Sequence, residues 1–216
     1  MVSPDTEVAG LIIMRHGETA WNRELRVMGH SDVPLNEEGR RQSEQAAEVL
    51  SHFAIDRIVS SPLARAVESA EIVAARTSLR VEKDENLAEV RFGRWQGMTY
   101  DEIRGEADYR SFLADPVGTP TPGGETVADV QLRARAALSQ VDAGERVLFV
   151  SHGDIIRTAV CHFLGVPLAE FRRIRVDNCG ITAVSVADGL PPEVKFVNML
   201  ADPDRSWDPV HWSRRT

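Results

Sequence analysis

Two segments of this chain run from an apolar stretch straight into a histidine followed by a glycine. One is Leu11-Ile12-Ile13-Met14-Arg15-His16-Gly17-Glu18-Thr19, and the other is Arg146-Val147-Leu148-Phe149-Val150-Ser151-His152-Gly153. Such a pair suits phosphoryl transfer through a side chain. That chemistry needs a neutral imidazole nitrogen facing phosphorus, positive donors around the phosphoryl oxygens, and a proton source for the leaving oxygen. His16 is the expected nucleophile, and Gly17, lacking a side chain, lets its backbone approach and orient the ring. Arg15 offers a planar fork matched to phosphate oxygens, and Asn22 a neutral donor from the same loop. Arg65, in Ser60-Ser61-Pro62-Leu63-Ala64-Arg65-Ala66, falls in the first turn of an expected helix, where its charge and the helix N-terminus both favour an anion. His152, with Gly153 beside it, is expected to hydrogen-bond the transferred group. Glu89 lies in Leu87-Ala88-Glu89-Val90-Arg91-Phe92-Gly93-Arg94-Trp95-Gln96-Gly97. A carboxyl in such a mixed apolar and cationic setting could stay protonated as general acid, then activate water against phosphohistidine.

These residues need a scaffold that brings distant segments together. Leu11–Met14, Arg57–Ser60 and Arg146–Ser151 are short apolar runs of the kind buried on both faces of a sheet. Leu79–Lys83 alternates and reads as a further strand. Gly180–Ala187 and Glu193–Met199 read as two strands joined by the turn Gly189-Leu190-Pro191-Pro192. Between them lie helical patterns: one from Asn36 with Glu37 and Glu38 in its first turn, one starting at Pro62, one carrying Val127, Val130, Ala134, Ala137, Leu138 and Val141, and one from about Asp154 to Leu164. Strands alternating with helices predict an α/β fold, a sandwich around a mainly parallel sheet with helices on both faces. Ligands of such folds bind beyond the carboxyl ends of the strands, where His16 and His152 are placed. The irregular stretch from about 86 to 122 reads as an insertion over that end.

The chain has 216 residues, suited to a single domain spanning 1–216 with its core at about 11–200 and a polar tail at about 202–216. Its formal charge of -8 argues against nucleic acid and against anionic membrane as partners. Met1 to Gly10 carries Asp5 and Glu7 and no apolar run, so it does not read as a signal peptide. No stretch approaches the length of apolar sequence needed to span a bilayer. A cytoplasmic location is therefore the expectation. Cys161 and Cys179 read as free buried thiols.

The segments above, taken in order, resemble the histidine phosphatase superfamily, also called phosphoglycerate-mutase-like. The resemblance rests on Arg-His-Gly-Glu-Thr followed by Trp-Asn, on Ser-Ser-Pro-Leu-x-Arg-Ala, on Leu-x-Glu-x-x-x-Gly-x-x-x-Gly, and on the late Ser-His-Gly, and it covers residues 11 to about 200. It implies phosphohistidine at His16, a phosphate pocket of Arg15, Asn22, Arg65 and His152, and Glu89 as proton donor. It also implies a three-layer α/β/α sandwich, a small phosphorylated metabolite as partner, and neither metal nor organic cofactor. The sequence itself has no His-Glu-x-x-His spacing and no cysteine pair or carboxylate cluster with ligand spacing.

Within that family the competing reading is a 2,3-bisphosphoglycerate-dependent phosphoglycerate mutase. Such mutases carry a longer insertion than the 63 positions between Glu89 and His152. They also carry a lysine where this chain has Met98-Thr99-Tyr100, and a paired arginine where it has isolated Arg104 and Arg110. The expectation is accordingly a phosphatase, a reading to which Pro122-Gly123-Gly124-Glu125-Thr126 adds a resemblance to broad-specificity, α-ribazole-phosphate and sugar-phosphate members. A third reading is a member that only binds phospho-ligands or a protein; retention of His16, Arg65, Glu89 and His152 counts against it. Met28, Gly29, Arg94 and Trp95 are candidates for the substrate pocket, with packing against the insertion the equal alternative for Arg94 and Trp95. His30, His52, His162 and His211 read as structural or solvent-facing, and Asp154 as a helix cap. Arg172, Arg173 and Arg175 form a basic cluster that could serve a homodimer or an anionic substrate.

Overall fold

The computed structural model describes residues 8–202; most of the predicted polar tail, with Trp207, His211 and Trp212, lies outside them. The strands are β1 (Ala9–Arg15), β2 (Arg57–Ser60), β3 (Val81–Lys83), β4 (Arg146–Ser151), β5 (Ile181–Val186) and β6 (Glu193–Met199). They form one sheet in the order β3-β2-β4-β1-β5-β6. The first four strands run parallel to their neighbours, while β5 is antiparallel to β1 and β6 to β5.

The helices are α1 (Ala20–Arg23), α2 (Glu37–Leu50), α3 (Ala64–Thr77), α4 (Tyr100–Arg104), α5 (Ala107–Ala114), α6 (Val127–Leu138) and α7 (Gly153–Leu164). Their apolar faces divide between the two sides of the sheet. Ile12 and Met14 of β1 pack with Ala46, Ala47 and Leu50 of α2 and with Ala66, Ala70 and Val73 of α3. The alternate residues Leu11 and Ile13 pack with Ala137 and Leu138 of α6 and with Ile156, Ala159 and Val160 of α7. This is a three-layer α/β/α arrangement, and it follows from the period-two alternation of a strand that is apolar on both faces. Each such aliphatic side chain contributes roughly 1.5–3 kcal/mol by leaving water. Both cysteines lie inside as free thiols.

Two boundaries differ from the sequence reading, and two short elements are absent from it. The helix expected at Pro62 begins at Ala64, with Leu63 as an extended N-cap that supplies no side-chain bond; instead the Ala64 N–H donates to Asp32 Oδ1 at 3.0 Å. An acceptor from another loop thus fixes the helix start two residues beyond the proline. The strand expected from Leu79 is three residues long, because only Val81–Lys83 finds a partner, on β2. Residues 168–173 form a 3-10 turn, and α1 is a single helical turn; neither carries enough periodicity to be read in sequence. No helix among the described residues is long and apolar enough to cross a membrane.

The insertion contains a 3-10 turn at Gly93–Trp95 together with α4 and α5. It has its own apolar cluster, in which Trp95, Ile103 and Phe112 meet Val27, Val127, Cys161 and Phe171.

Candidate active site

The parallel register brings the expected site residues together. Arg15 is level with Ser151, and Ser60 is level with Val150. One residue beyond, the His16 N–H donates to Ser151 O at 3.0 Å and the Ser61 N–H to Val150 O at 2.9 Å. Three strands thus end in line, and His16, His152 and Ser61 follow as neighbours. The result is a polar cluster in an apolar layer: His16, Arg65, Ser61 and His152 each expose 1% or less of their surface. Burying polar groups costs free energy unless they are partnered, so each contact in this cluster carries information.

The His16 Nδ1–H donates to the Gly17 carbonyl at 2.6 Å, which leaves the lone pair of the ring on Nε2. Gly17 therefore orients the ring through its carbonyl. Its missing side chain serves a second purpose, because a Cβ there would stand 2.3 Å from the Gly39 carbonyl and push α2 off the loop. The His16 and His152 rings lie 5.1 Å apart, tilted by 57°. His152 places Nε2 2.7 Å from Ser61 Oγ, while its buried Nδ1 has no hydrogen-bond partner among the described residues.

Arg65 reaches back from α3 to the loop after α1, donating to Ser31 O at 3.0 Å and Gly29 O at 2.8 Å. Its Nε is buried with no partner among the described residues. Gly29 adopts a left-handed φ of 50°, and a Cβ there would meet Gln96 Oε1 at 2.4 Å. The loop that clasps Arg65 is therefore built around a glycine. Arg15 donates to Val176 O at 2.8 Å. Asn22 caps its own turn: Thr19 N–H donates to Asn22 Oδ1 at 3.0 Å. Gly153 opens α7, whose N-cap His152 provides no side-chain cap, so the first amides of α7 are available to an acceptor.

Glu89 is partly buried, with Oε1 accepting the Val90 N–H at 3.0 Å. Its carbonyl accepts from His30 Nε2 at 2.7 Å and from Arg133 at 3.1 Å. Arg133 also holds the carbonyls of Asn86 and Ala88 and pairs with Glu125. The Glu89 segment is thus pinned from α6.

The electrostatics separate the titrating groups. Burial, then the charges of Arg65 and Arg15, hold His16 well below the usual imidazole range, against the pull of the Gly17 carbonyl. His152 is lowered likewise, by burial first and then by Arg65 and His16. Glu89 is pushed up to about 7, by burial first and then by the charge of Asp154, while the Val90 N–H, Arg65 and Arg15 pull it down. Two neutral imidazoles beside a carboxyl that titrates near neutrality form an acid–base set.

The seven residues expected to be catalytic or phosphate-binding, Arg15, His16, Asn22, Arg65, Glu89, His152 and Gly153, therefore lie at one end of the sheet. Met28 and Gly29 lie on the clasping loop, with Met28 Sδ 3.2 Å from Thr19 Oγ1. Arg94 and Trp95 sit elsewhere: Arg94 is exposed and pairs with Glu106 and Asp108, and Trp95 is buried edge-on against Tyr109 and Phe112. Their geometry fits the packing alternative, because α5 supplies both the acids and the aromatics. Asp154 is not a cap; it sits in the first turn of α7 and pairs with Arg157 at 2.6 Å. Ser61, Asn178, His30 and Arg133 were not assigned site roles from sequence. Ser61 lay inside a quoted motif, and His30 follows Gly29 on the loop after Asn22, which places it near the pocket; nothing in the spacing ties Asn178 or Arg133 to it.

The model of the histidine phosphatase superfamily, branch 1, matches residues 11–199. Phosphoglycerate mutase-like protein 4 of Arabidopsis thaliana is 40% identical over 165 residues, covering 72% of this chain and 71% of that protein. The mycobacterial glucosyl-3-phosphoglycerate phosphatase superposes with a TM-score of 0.78 at 30% identity, over 88% of this chain and 99% of that one. The phosphoserine phosphatase of Entamoeba histolytica, in complex with 3-phosphoglyceric acid, gives a TM-score of 0.78 at 28% identity, over 88% and 97%.

Proposed function

The chain belongs to the histidine phosphatase superfamily, and from that membership we propose that it is a phosphatase hydrolysing a small phosphomonoester through a phosphohistidine at His16. The observation that carries this reading is the commitment of His16 Nδ1 to the Gly17 carbonyl, inside a cluster that keeps the ring uncharged. In the first step Nε2 attacks phosphorus and the phosphorus–oxygen ester bond breaks. The departing alkoxide takes the proton of Glu89. Arg15, Arg65, Asn22, the Gly153 amide and His152 hold the phosphoryl oxygens while charge spreads over them. In the second step the Glu89 carboxylate removes a proton from water, whose oxygen attacks phosphorus. The phosphorus–nitrogen bond breaks, and His16 and protonated Glu89 are restored.

The names of the relatives favour two fates for the phosphoryl group. The mutase-like relative supports the alternative reading, a 2,3-bisphosphoglycerate-dependent phosphoglycerate mutase. A mutase must grip a second phosphate, and the insertion offers little for that: Arg94 and Arg104 are exposed and paired with Asp108 and Asp101. The phosphatase relatives act, by their names, on phosphoserine and glucosyl-3-phosphoglycerate, so carboxylate-bearing phosphomonoesters head the substrate candidates. A hydrolysis screen over such compounds and p-nitrophenyl phosphate, beside a 3-phosphoglycerate mutase assay primed with 2,3-bisphosphoglycerate, decides between the two. Net phosphate release is expected; efficient mutase turnover with little release would overturn the phosphatase reading.

A further inference from the structure

Asn22 stands on α1, a four-residue turn that buries none of its side chains. Packing therefore does little to hold this donor at a set distance from His16, which follows a strand buried from Leu11 to Arg15. The link is lateral and comes from the other end of the chain. Asn178 Nδ2 donates to the His16 carbonyl at 3.1 Å and to Asn22 Oδ1 at 3.3 Å.

Both amide orientations follow from backbone groups that can play only one part. A carbonyl only accepts, so the Asn178 atom facing His16 O is nitrogen. A peptide N–H only donates, so the Asn22 atom 3.0 Å from Thr19 N is oxygen. The Asn22 Nδ2 then has no protein partner among the described residues and is the half of the amide left for a ligand. The turn bearing Asn178 holds the other donors too: Val176 O takes Arg15, and the Cys179 N–H donates to the carbonyl of Arg15 at 3.1 Å.

We infer that Asn178 is a positioning residue that ties the Asn22 amide to the His16 backbone, so that Asn22 Nδ2 is aimed at a phosphoryl oxygen before substrate arrives. The inference rests on the phosphohistidine reading above.

The test uses the full chain, orthovanadate as the probe of the phosphoryl site, and p-nitrophenyl phosphate for kinetics. Asn22→Ala should weaken vanadate inhibition about tenfold, the scale of one hydrogen bond to a charged group. Asn178→Ala should weaken it about threefold, with KM rising more than kcat falls, because Thr19 still holds the Asn22 oxygen. Asn178→Asp should be worse than Asn178→Ala, since a carboxylate facing Asn22 Oδ1 favours turning that amide over. On the Asn22→Ala background, Asn178→Ala should change vanadate affinity by less than about twofold, the sign of coupled residues. If Asn178→Ala melts early, Asn178→Ser, which keeps a donor for the His16 carbonyl, replaces it in the same cycle. An undiminished loss on the Asn22→Ala background, or Asn178→Asp matching Asn178→Ala, overturns the inference and leaves the phosphatase reading standing. A parent enzyme insensitive to vanadate, with Asn22→Ala also silent, overturns both.

Discussion

His152 and Ser61, 91 positions apart in sequence, meet through a 2.7 Å contact between Nε2 and Oγ. The same hydroxyl accepts the Leu63 N–H at 3.3 Å and still has its own hydrogen to give to Nε2. The proposed role of His152 as a donor to a phosphoryl oxygen requires that arrangement, with the imidazole proton on the buried Nδ1. Ser61→Ala frees the ring to take the other tautomer and should lower kcat/KM about tenfold, the scale of a lost hydrogen bond to a charged group, with a melting temperature close to the parent's. Unchanged kcat/KM on p-nitrophenyl phosphate would remove Ser61 from the site.

Asp154 supplies, after burial, the largest push on the Glu89 carboxyl, which titrates near 7. In the proposed reaction Glu89 must be protonated to serve the leaving group, so kcat/KM should fall as pH rises through about 7. Asp154→Asn removes a negative charge and leaves the Arg157 charge without its carboxylate; both changes favour the Glu89 carboxylate. The alkaline limb of the pH profile should move to lower pH. A limb that stays put or moves upward would contradict this electrostatic account.

Glu89→Gln separates chemistry from stability. Activity should drop by about two to four orders of magnitude on alkyl phosphates, the usual worth of a general acid, and much less on an activated aryl phosphate. Equal loss on both would argue against an acid role. For stability, the folded-state value of about 7 lies above the ordinary 4.5. The native state therefore resists ionisation, and the resulting penalty is absent below pH 4.5 and grows until about pH 7. Glu89→Gln should gain melting temperature relative to the parent across that window, and the gain should level off above it.

His16→Ala should abolish both turnover and the trapping of an acid-labile phosphoenzyme. Because burial and two arginines hold His16 below the usual imidazole range, no loss of activity from its protonation is expected near pH 6.5. Activity is also expected to persist in chelator. A phosphoenzyme retained in His16→Ala, or inhibition by chelator that a divalent ion reverses, would reopen the choice of nucleophile or the metal question.

What could be read in sequence was whatever one segment carries by itself. His16 and His152 announce themselves because an apolar strand must end before a glycine-flanked polar residue can be exposed to a ligand, and strand and signal are contiguous. Arg65 was readable because it opens a helix right after a strand, and Glu89 because its own segment mixes apolar and cationic residues. Asn178 was not, because its role depends on β5 running antiparallel to β1, and no local pattern encodes that pairing. Arg133 hides on an ordinary amphipathic helix, and its three carbonyl partners lie 44 to 47 positions away. Trp95 and Arg94 looked like pocket residues by adjacency to Glu89; the 3-10 turn at Gly93 carries them toward α5 instead.

The antiparallel placement of β5 also has a bearing on how the enzyme comes into being. Since β5 descends beside β1, the turn that feeds it, residues 176–179, arrives at the same rim as His16, and that turn grips Arg15, His16 and Asn22. A growing chain that stops short of this turn already holds His16 through Ser151 and the Gly17 carbonyl, but lacks the lateral ties to Arg15 and Asn22. On the proposed mechanism, the full set of phosphoryl donors is therefore braced only once residues 176–179 have been made.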